Sequence, residues 1–293
     1  MSLDLTGIAA YIQENPNEIA SEAVLGLKSL DYLTVQPGVR SSMKVNKIVT
    51  DAILQAGGCG WSPSGTTTLS QRELTVSTYK VEEALCDEDL MPTIYQLIGK
   101  GANDENFSLE NAYVDLKVKT IQNSLDNLIW KADTSGTDLF DGILKVATAD
   151  VPSGNLIART GSLIADIDSL IDLLPEGVLE EEGFTCAMSR VNFRALVKEF
   201  RTLDSNHIAL FDQLANELTF PGTNLKVVGL PGLKATTNVV IYNQGNILIG
   251  TDLEADLSTS KFWWSQDNLE HRFHFGARIG VQIAIPEEVV MAV

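Results

Sequence analysis

The stretch FHFGARIGVQIAI, residues 273–285, carries an apolar side chain at every second position. A period of two is typical of a β-strand that buries one face, because successive side chains of a strand point to opposite sides of the sheet. At roughly 3.4 Å per residue this strand spans more than ~40 Å, well beyond the usual strand length. We therefore expect one very long strand near the end of the chain to organise a sheet.

A helix of comparable length is predicted over residues 108–131. Ser108 is a suitable N-cap, and at 1.5 Å per residue the helix spans roughly 36 Å. A compact insert separates this long helix from the long strand. The apolar residues of the helix recur at near-helical intervals at Leu109, Tyr113, Leu116, Ile121, Leu125, Leu128 and Ala132.

The insert mixes helices and strands. Residues 161–174 have an apolar stripe at helical spacing, which predicts an amphipathic helix that ends at Pro175. Ser189 is the predicted N-cap of a second helix, and a third helix is expected over Asn206–Leu218. The fold class is therefore α+β. The strands expected in the insert are Phe184–Met188, Leu225–Gly229, Val239–Tyr242 and Asn246–Gly250.

Ahead of the long helix the sequence predicts an extended hairpin. Two β-like limbs, Val45–Ala56 and Thr66–Glu83, flank a turn-forming tip, Gly57–Gly65. The second limb is rich in Thr and Ser and poor in large apolar residues, and an isolated two-stranded hairpin is only marginally stable in water. We therefore expect a neighbouring subunit to cover the hairpin.

The first ~40 residues are interpreted as an arm. One helical stretch, Glu18–Leu30, follows a polar segment, and the chain breaks at Pro37-Gly38. We expect this arm to pack on another part of an assembly. A short helix is also expected over Asp87–Lys100, between the hairpin and the long helix.

Composition and charge exclude several classes of protein. The chain has 293 residues, of which 44% are hydrophobic, yet no stretch has the ~20 consecutive apolar residues of a membrane span. The amino end has no secretory signal pattern. A net charge of −18 disfavours binding to nucleic acid or to anionic lipid. Three cysteines without paired spacing fit a reducing compartment.

No catalytic, cofactor or metal motif is found. His271 and His274 are three apart on a strand and face opposite sides, so a shared metal is not expected, and His207 is remote in sequence. The acidic residues between Asp133 and Asp141 fail the EF-hand spacing and are interpreted as a turn. We expect no enzyme, although 39 acidic residues leave a catalytic carboxylate pair open as an alternative.

The order of these elements resembles the major capsid proteins of tailed bacteriophages of the Hong Kong 97 type. The residues that carry the resemblance are Leu128–Asp133 running into Phe140–Leu144, Phe184–Arg190 opening a helix, and the terminal strand ending at Ile285-Pro286. The resemblance covers residues 108–293 well and residues 1–107 by layout only.

The resemblance implies a fold and its division into segments. It implies a capsid fold in which the extended hairpin is the E-loop and the helix over residues 108–131 is the spine helix. The segments are the N-terminal arm (1–42), the E-loop (43–86), the peripheral domain with the spine helix (87–142), the axial domain (143–250) and the return strands of the peripheral domain (251–293).

It also implies a function and a set of partners. The expected function is self-assembly, as pentamers and hexamers, into an icosahedral shell that encloses double-stranded DNA without sequence-specific binding. Some members of the family carry a scaffolding segment at the amino end, and the arm here is too short for one. A separate scaffolding protein and cleavage ahead of this sequence are both open, and Met1 favours the separate protein. A portal is expected as a further partner. Assembly would take place in the cytoplasm of the host bacterium and the product would be the virion, with no membrane involved.

The expected assembly interface involves the hairpin and an aromatic pair. Trp263 and Trp264 could serve as an interface anchor or as core residues. Some members of the family cross-link Lys to Asn, and Lys80 is the only lysine between Ile48 and Gly99, but we do not expect the reaction here. The interface residues expected are Gly58, Gly60, Trp61, Arg72, Tyr79, Lys80, Trp263 and Trp264.

Three alternatives stay open at this point. An encapsulin-like bacterial compartment shell would share the fold and enclose a cargo enzyme instead of a genome. An α+β enzyme with a carboxylate pair would be a monomer or small oligomer with a deep polar cleft. A decoration or tail protein of a virion fits the long helix less well.

Overall fold

The computed structural model describes residues 26–50, 65–85, 109–174, 183–203, 217–252, 260–268 and 270–293. Within these ranges the chain forms four α-helices and thirteen β-strands. The helices are α1 (Leu109–Lys131), α2 (Ile143–Asp150), α3 (Leu163–Leu173) and α4 (Arg190–Leu203). The strands are β1 (Thr34–Pro37), β2 (Ser42–Thr50), β3 (Thr67–Thr75), β4 (Ser77–Leu85), β5 (Leu156–Ile157), β6 (Phe184–Ser189), β7 (Glu217–Thr219), β8 (Lys226–Leu230), β9 (Val239–Asn243), β10 (Ile247–Thr251), β11 (Ser260–Ser265), β12 (Glu270–Ile283) and β13 (Val290–Ala292).

The long strand predicted from the alternating sequence is confirmed as β12. It is the central strand of a five-stranded sheet, with β4 antiparallel along one edge and with β10 and β11 antiparallel along the other. Strand β1 extends this sheet by pairing parallel to β10. The alternate residues from Phe273 to Ile283 are buried in one core together with Ile121, Leu125 and Ile129 of α1.

A second sheet of six strands carries α3 and α4. Its order is β5-β13-β9-β6-β8-β7, and β6 at its centre is buried at every position. The predicted helices are confirmed: the Ser162 hydroxyl accepts a hydrogen bond from the Ala165 amide at the start of α3, and the Ser189 hydroxyl accepts one from the Asn192 amide at the start of α4. A second hydrophobic core lies between these helices and the sheet.

Strand pairing crosses two of the predicted segment boundaries. Strand β10 falls in the segment assigned to the axial domain, yet it pairs with β12 in the five-stranded sheet. Strand β13 falls in the return segment, yet it pairs with β5 and β9 in the six-stranded sheet. Strand β1, expected in the arm, joins the five-stranded sheet. The division into five segments stays a prediction.

Three local predictions were wrong. Leu116 was grouped with Ile121 and Leu125 in the apolar series of the long helix, but it is 64% exposed, whereas α1 buries Ile121 and Leu125. Leu218 was placed in a helix, but it is the buried middle residue of strand β7, whose two other residues are exposed. The second hairpin limb does not run unbroken through Tyr79: β3 ends at Thr75 and the chain enters β4 after Val76.

Several predictions fall outside the described residues. Two predicted elements lie partly outside: residues 18–25 of the helix Glu18–Leu30 and residues 57–64 of the hairpin tip Gly57–Gly65. The helix over Asp87–Lys100 lies wholly outside, as do residues 206–216 of the helix predicted over Asn206–Leu218. The single residues outside are Gly58, Gly60, Trp61 and His207. The end of the first of these helices is described, and Lys28–Tyr32 is a 3-10 helix.

Candidate assembly surface

The hairpin is formed by β2 and β3, which pair antiparallel from Ser42 opposite Thr75 to Thr50 opposite Thr67. We call the end of the hairpin at Ser42 and Thr75 its root. Residues 67–71 of β3 are all exposed, and Leu74 near the root is the one buried residue of that strand. The outer half of the hairpin therefore gains little stability from the body of the subunit.

The root of the hairpin rests on a pair of glycines. Gly250 and Gly280 are directly opposite each other in the five-stranded sheet, and β3 crosses above them. A Cβ at Gly280 would lie 2.8 Å from the Thr75 carbonyl carbon and 2.9 Å from Val76 Cα, and closer still to the Thr75 carbonyl oxygen. Glycine at this position lets the backbone of the hairpin root contact the sheet directly.

Two ion pairs join the inward face of the hairpin to the body. Lys47 Nζ lies 2.7 Å from a Glu287 carboxylate oxygen, and the Arg72 guanidinium pairs with Asp150 at the end of α2. Hydrogen bonding from Lys47 holds the pKa of Glu287 below its usual range, although burial opposes the shift. Arg72, which was expected at the interface, is therefore engaged within its own subunit.

The outward face of the hairpin presents an apolar pair that the sequence reasoning missed. Ile48 and Leu69 are cross-strand partners, with exposed fractions of 69% and 64%. Directly opposed aliphatic side chains on one face of a hairpin form a small apolar patch. The available signal was that Leu69 is the one large aliphatic residue in the Thr- and Ser-rich stretch from Thr66 to Gln71.

Tyr79 and Lys80 lie on β4, and the structure gives them different surroundings. The Tyr79 hydroxyl accepts a hydrogen bond of 2.9 Å from the Leu139 amide, and its ring packs edge-to-face on Phe140 at 5.7 Å. Burial raises the pKa of Tyr79. Tyr79 therefore anchors β4 to the loop after α1, whereas the Lys80 ammonium is exposed and pairs with Glu82 at 2.9 Å. An exposed, paired lysine lacks the desolvation that a nucleophilic amine needs.

The tryptophan pair lies on β11. Trp263 and Trp264 point to opposite faces of the sheet, and each is 41% exposed. The Trp264 ring packs edge-to-face with the His271 ring at 4.6 Å, and the His271 ring also stacks on buried Phe262 at 5.4 Å. Trp263 instead lines a cavity of about 370 Å³ together with Arg272. Neither tryptophan is a core residue.

The acidic loop after α1 forms ion pairs with Lys145 of α2. The Lys145 ammonium pairs with Asp133 and lies 3.5 Å from Asp141. A hydrogen bond from the Thr134 amide lowers the pKa of Asp141.

Among the described residues no group of three metal-ligating side chains is found, and no described helix is long and apolar enough to span a membrane.

Comparison with known proteins identifies the fold through structure alone. No family model and no curated sequence matches the chain. The capsid of a native GTA particle matches with a TM-score of 0.60 and 13% identity over 94% of this chain and 89% of its own. The procapsid of satellite phage P4, which includes the size determination protein Sid, matches with a TM-score of 0.60 and 12% identity over 94% and 89%. The chain has the phage capsid fold.

A third match broadens the comparison. The virus-like particle from Pyrococcus furiosus has a TM-score of 0.54 and 12% identity over 97% of this chain and 99% of its own. The predicted capsid fold and the α+β class are thereby confirmed. Because the identity is so low, only the arrangement of the elements carries the relationship.

Proposed function

We propose that the chain is a major capsid protein, which self-assembles into the icosahedral shell enclosing the double-stranded DNA genome of a tailed bacteriophage. The observation that carries this proposal is the capsid fold combined with a hairpin whose outer half is exposed in the single subunit. A surface of this kind is suited to a neighbouring copy.

The described part of the hairpin supplies a physical reason for association. Full burial of an aliphatic side chain contributes about 1.5–3 kcal/mol, and about two thirds of Ile48 and Leu69 is exposed in the subunit. Covering both on a neighbour would therefore contribute about 2–4 kcal/mol before the cost of ordering is subtracted. A closed shell repeats this contact at every subunit. Modest contacts therefore add up to a stable particle.

The remaining partners belong to the same proposal. Pentamers and hexamers of this chain form the lattice, a separate scaffolding protein guides their curvature, and a portal occupies one vertex. The P4 procapsid, a particle of the same fold, includes the Sid protein, which supports a role for a second protein in assembly. Assembly takes place in the host bacterial cytoplasm, and the finished shell is part of the virion.

The experiment is deletion of Gly57–Gly65, the hairpin tip. The shortened chain should keep the circular dichroism spectrum and the urea midpoint of the wild type, because the described root and both cores remain. It should form no closed particles in negative-stain microscopy. Closed particles of wild-type size from the shortened chain would refute the role of the hairpin.

A compartment shell is the second candidate, because the virus-like particle match covers nearly all of both chains. The contents of the particle separate the two functions. Shells of the proposed capsid should hold DNA that survives external nuclease, whereas a compartment would hold a protein cargo. An enzyme would instead stay a monomer or small oligomer.

A further inference from the structure

One helix of this acidic protein carries a stripe of cations. Three arginines and one lysine of α4 are all exposed, and their spacings of four, four and three residues place them within a sector of about 80° over about 16 Å of helix. The chain has 21 basic residues against 39 acidic ones, so such a concentration is local. We call this stripe the α4 basic face: Arg190, Arg194, Lys198 and Arg201.

The α4 basic face holds no acidic residue of its own helix. Glu199 is the one acidic residue of α4, and it points away from the face toward α3. Its carboxylate accepts hydrogen bonds from the Leu163 amide at 3.0 Å and from the Ile164 amide at 3.2 Å, at the first turn of α3. The opposite side of α4, with Leu196 and Phe200, is buried in the core. The helix is therefore fixed with its cations toward solvent.

A cavity extends the positive surface beyond the start of α4. It has a volume of about 320 Å³, lies between α4 and α1, and is lined by Arg190 together with exposed Lys28 and Lys119. Asp126 lines the same cavity but is buried, and burial raises the pKa of its carboxyl although hydrogen bonds from Ser29 oppose the shift. The exposed charges around the opening are positive.

We infer that the α4 basic face contacts the phosphate backbone of double-stranded DNA. The match is one of charge and spacing, because each strand of a duplex presents a phosphate every ~3.4 Å and a 16 Å stripe faces about five of them. Arginine, present three times, binds phosphate through two parallel hydrogen bonds. The inference rests on the proposed function, which places such DNA inside the shell.

An acidic protein surface fits this face less well. Protein interfaces usually have an apolar centre rich in aromatic residues. The exposed residues of α4 that accompany the four cations are Val191, Ala195 and Thr202, which provide no aromatic anchor. Contacts to phosphate carry no sequence information, so this site agrees with enclosure of DNA without sequence-specific binding.

The test is fluorescence anisotropy of the full-length chain with a labelled duplex of about 30 base pairs at increasing salt. Four phosphate contacts give a slope of about −3.6 in a plot of log affinity against log salt, or a fall of about 300-fold between about 20 and about 100 mM. The variant R194Q/K198Q/R201Q should bind at least about tenfold more weakly at about 20 mM and lose about fourfold over the same range. The matched control, K226Q/K234Q/K261Q, removes three exposed lysines elsewhere and should keep the wild-type slope.

The outcomes separate this inference from the proposed function. Equal binding by both triple variants, or no binding by the wild type, would overturn the DNA contact. Wild-type binding to poly-glutamate but not to the duplex would overturn it in favour of an acidic protein partner. Shell formation by each variant is scored separately by negative-stain microscopy, and it should be unchanged because neither triple variant alters the hairpin. If the wild type forms shells but does not bind the duplex, the DNA contact is refuted and the capsid proposal is retained.

Discussion

Replacing Gly280 with alanine should displace the root of the hairpin. The new methyl group would lie within 2.8 Å of the Thr75 carbonyl carbon and 2.9 Å of Val76 Cα, and both are backbone atoms that cannot rotate away. Relief requires β3 to move outward by roughly 1 Å. That movement loosens Leu74 and Val76, which are buried against the same sheet. Inserting a methyl group into packed structure costs about 1–3 kcal/mol.

The neighbouring glycines give a graded series. At Gly250 a methyl group would meet Val76 Cγ1 at 2.8 Å and Leu74 Cδ2 at 3.1 Å, which are side-chain atoms that can adjust, so Gly250→Ala should cost less than Gly280→Ala. Gly154→Ala is the matched control, because a Cβ there meets nothing within 4 Å. This control should be neutral or slightly stabilising.

Thermal and urea unfolding measure the series, with shell assembly as the second readout. A cost of about 2 kcal/mol corresponds to a fall in Tm of about 3 °C for a chain of this size, and G280A should also assemble poorly because its hairpin is misplaced. A G280A protein with the unfolding midpoint of G154A, and with normal shells, would show that the glycine pair does not seat the hairpin.

Two further predictions follow from buried and exposed groups. The free energy of unfolding of I48S/L69S should lie within about 0.5 kcal/mol of the wild type, since both side chains are exposed, but this variant should require a higher protein concentration to form shells. Leu74→Ala, at a buried residue of the same hairpin, should lower the free energy of unfolding by about 2–5 kcal/mol. Equal effects of the two variants on unfolding would contradict the assignment of Ile48 and Leu69 to an assembly surface. Asp166 is buried, and although burial opposes ionisation, hydrogen bonds from Thr160 and Arg159 lower its pKa. Ionised Asp166 therefore stabilises the fold at pH values above the unfolded pKa of about 4, and this stabilisation is lost as the pH falls through the lowered pKa of the folded protein. Asp166→Asn should lower the free energy of unfolding by about 2 kcal/mol at pH 7 and by little near pH 2. Urea unfolding at both pH values checks this, and an equal loss at both would refute it.

Long periodic elements could be predicted from the sequence because their patterns record burial directly. Apolar residues alternate along β12 from Phe273 to Ile283, and Ser162 and Ser189 are recognisable caps. Which strands pair with each other could not be predicted in this way. Nothing in the local sequence of β10 or β13 distinguishes the two sheets, because both strands are short apolar runs whose pairing is set by contacts distant in sequence.

The site was harder to predict than the fold. The role of Arg72 and Tyr79 at the interface stays a prediction. Within the subunit both contact residues far along the chain, Asp150 for Arg72 and Leu139 for Tyr79, and the sequence alone did not indicate these partners. Ile48 and Leu69 escaped notice because an exposed aliphatic residue resembles a buried one in sequence. Their significance depends on strand register, which brings them opposite each other.

The most direct test of the central claim is light scattering during size-exclusion chromatography of the purified chain at rising concentration, followed by electron microscopy of the largest species. The account predicts pentamers and hexamers that convert to closed icosahedral shells, with the β2–β3 hairpin of each subunit lying over a neighbour. A chain that stays monomeric or dimeric at every concentration and never closes into particles, both alone and with the scaffolding protein that the proposal includes, would contradict it.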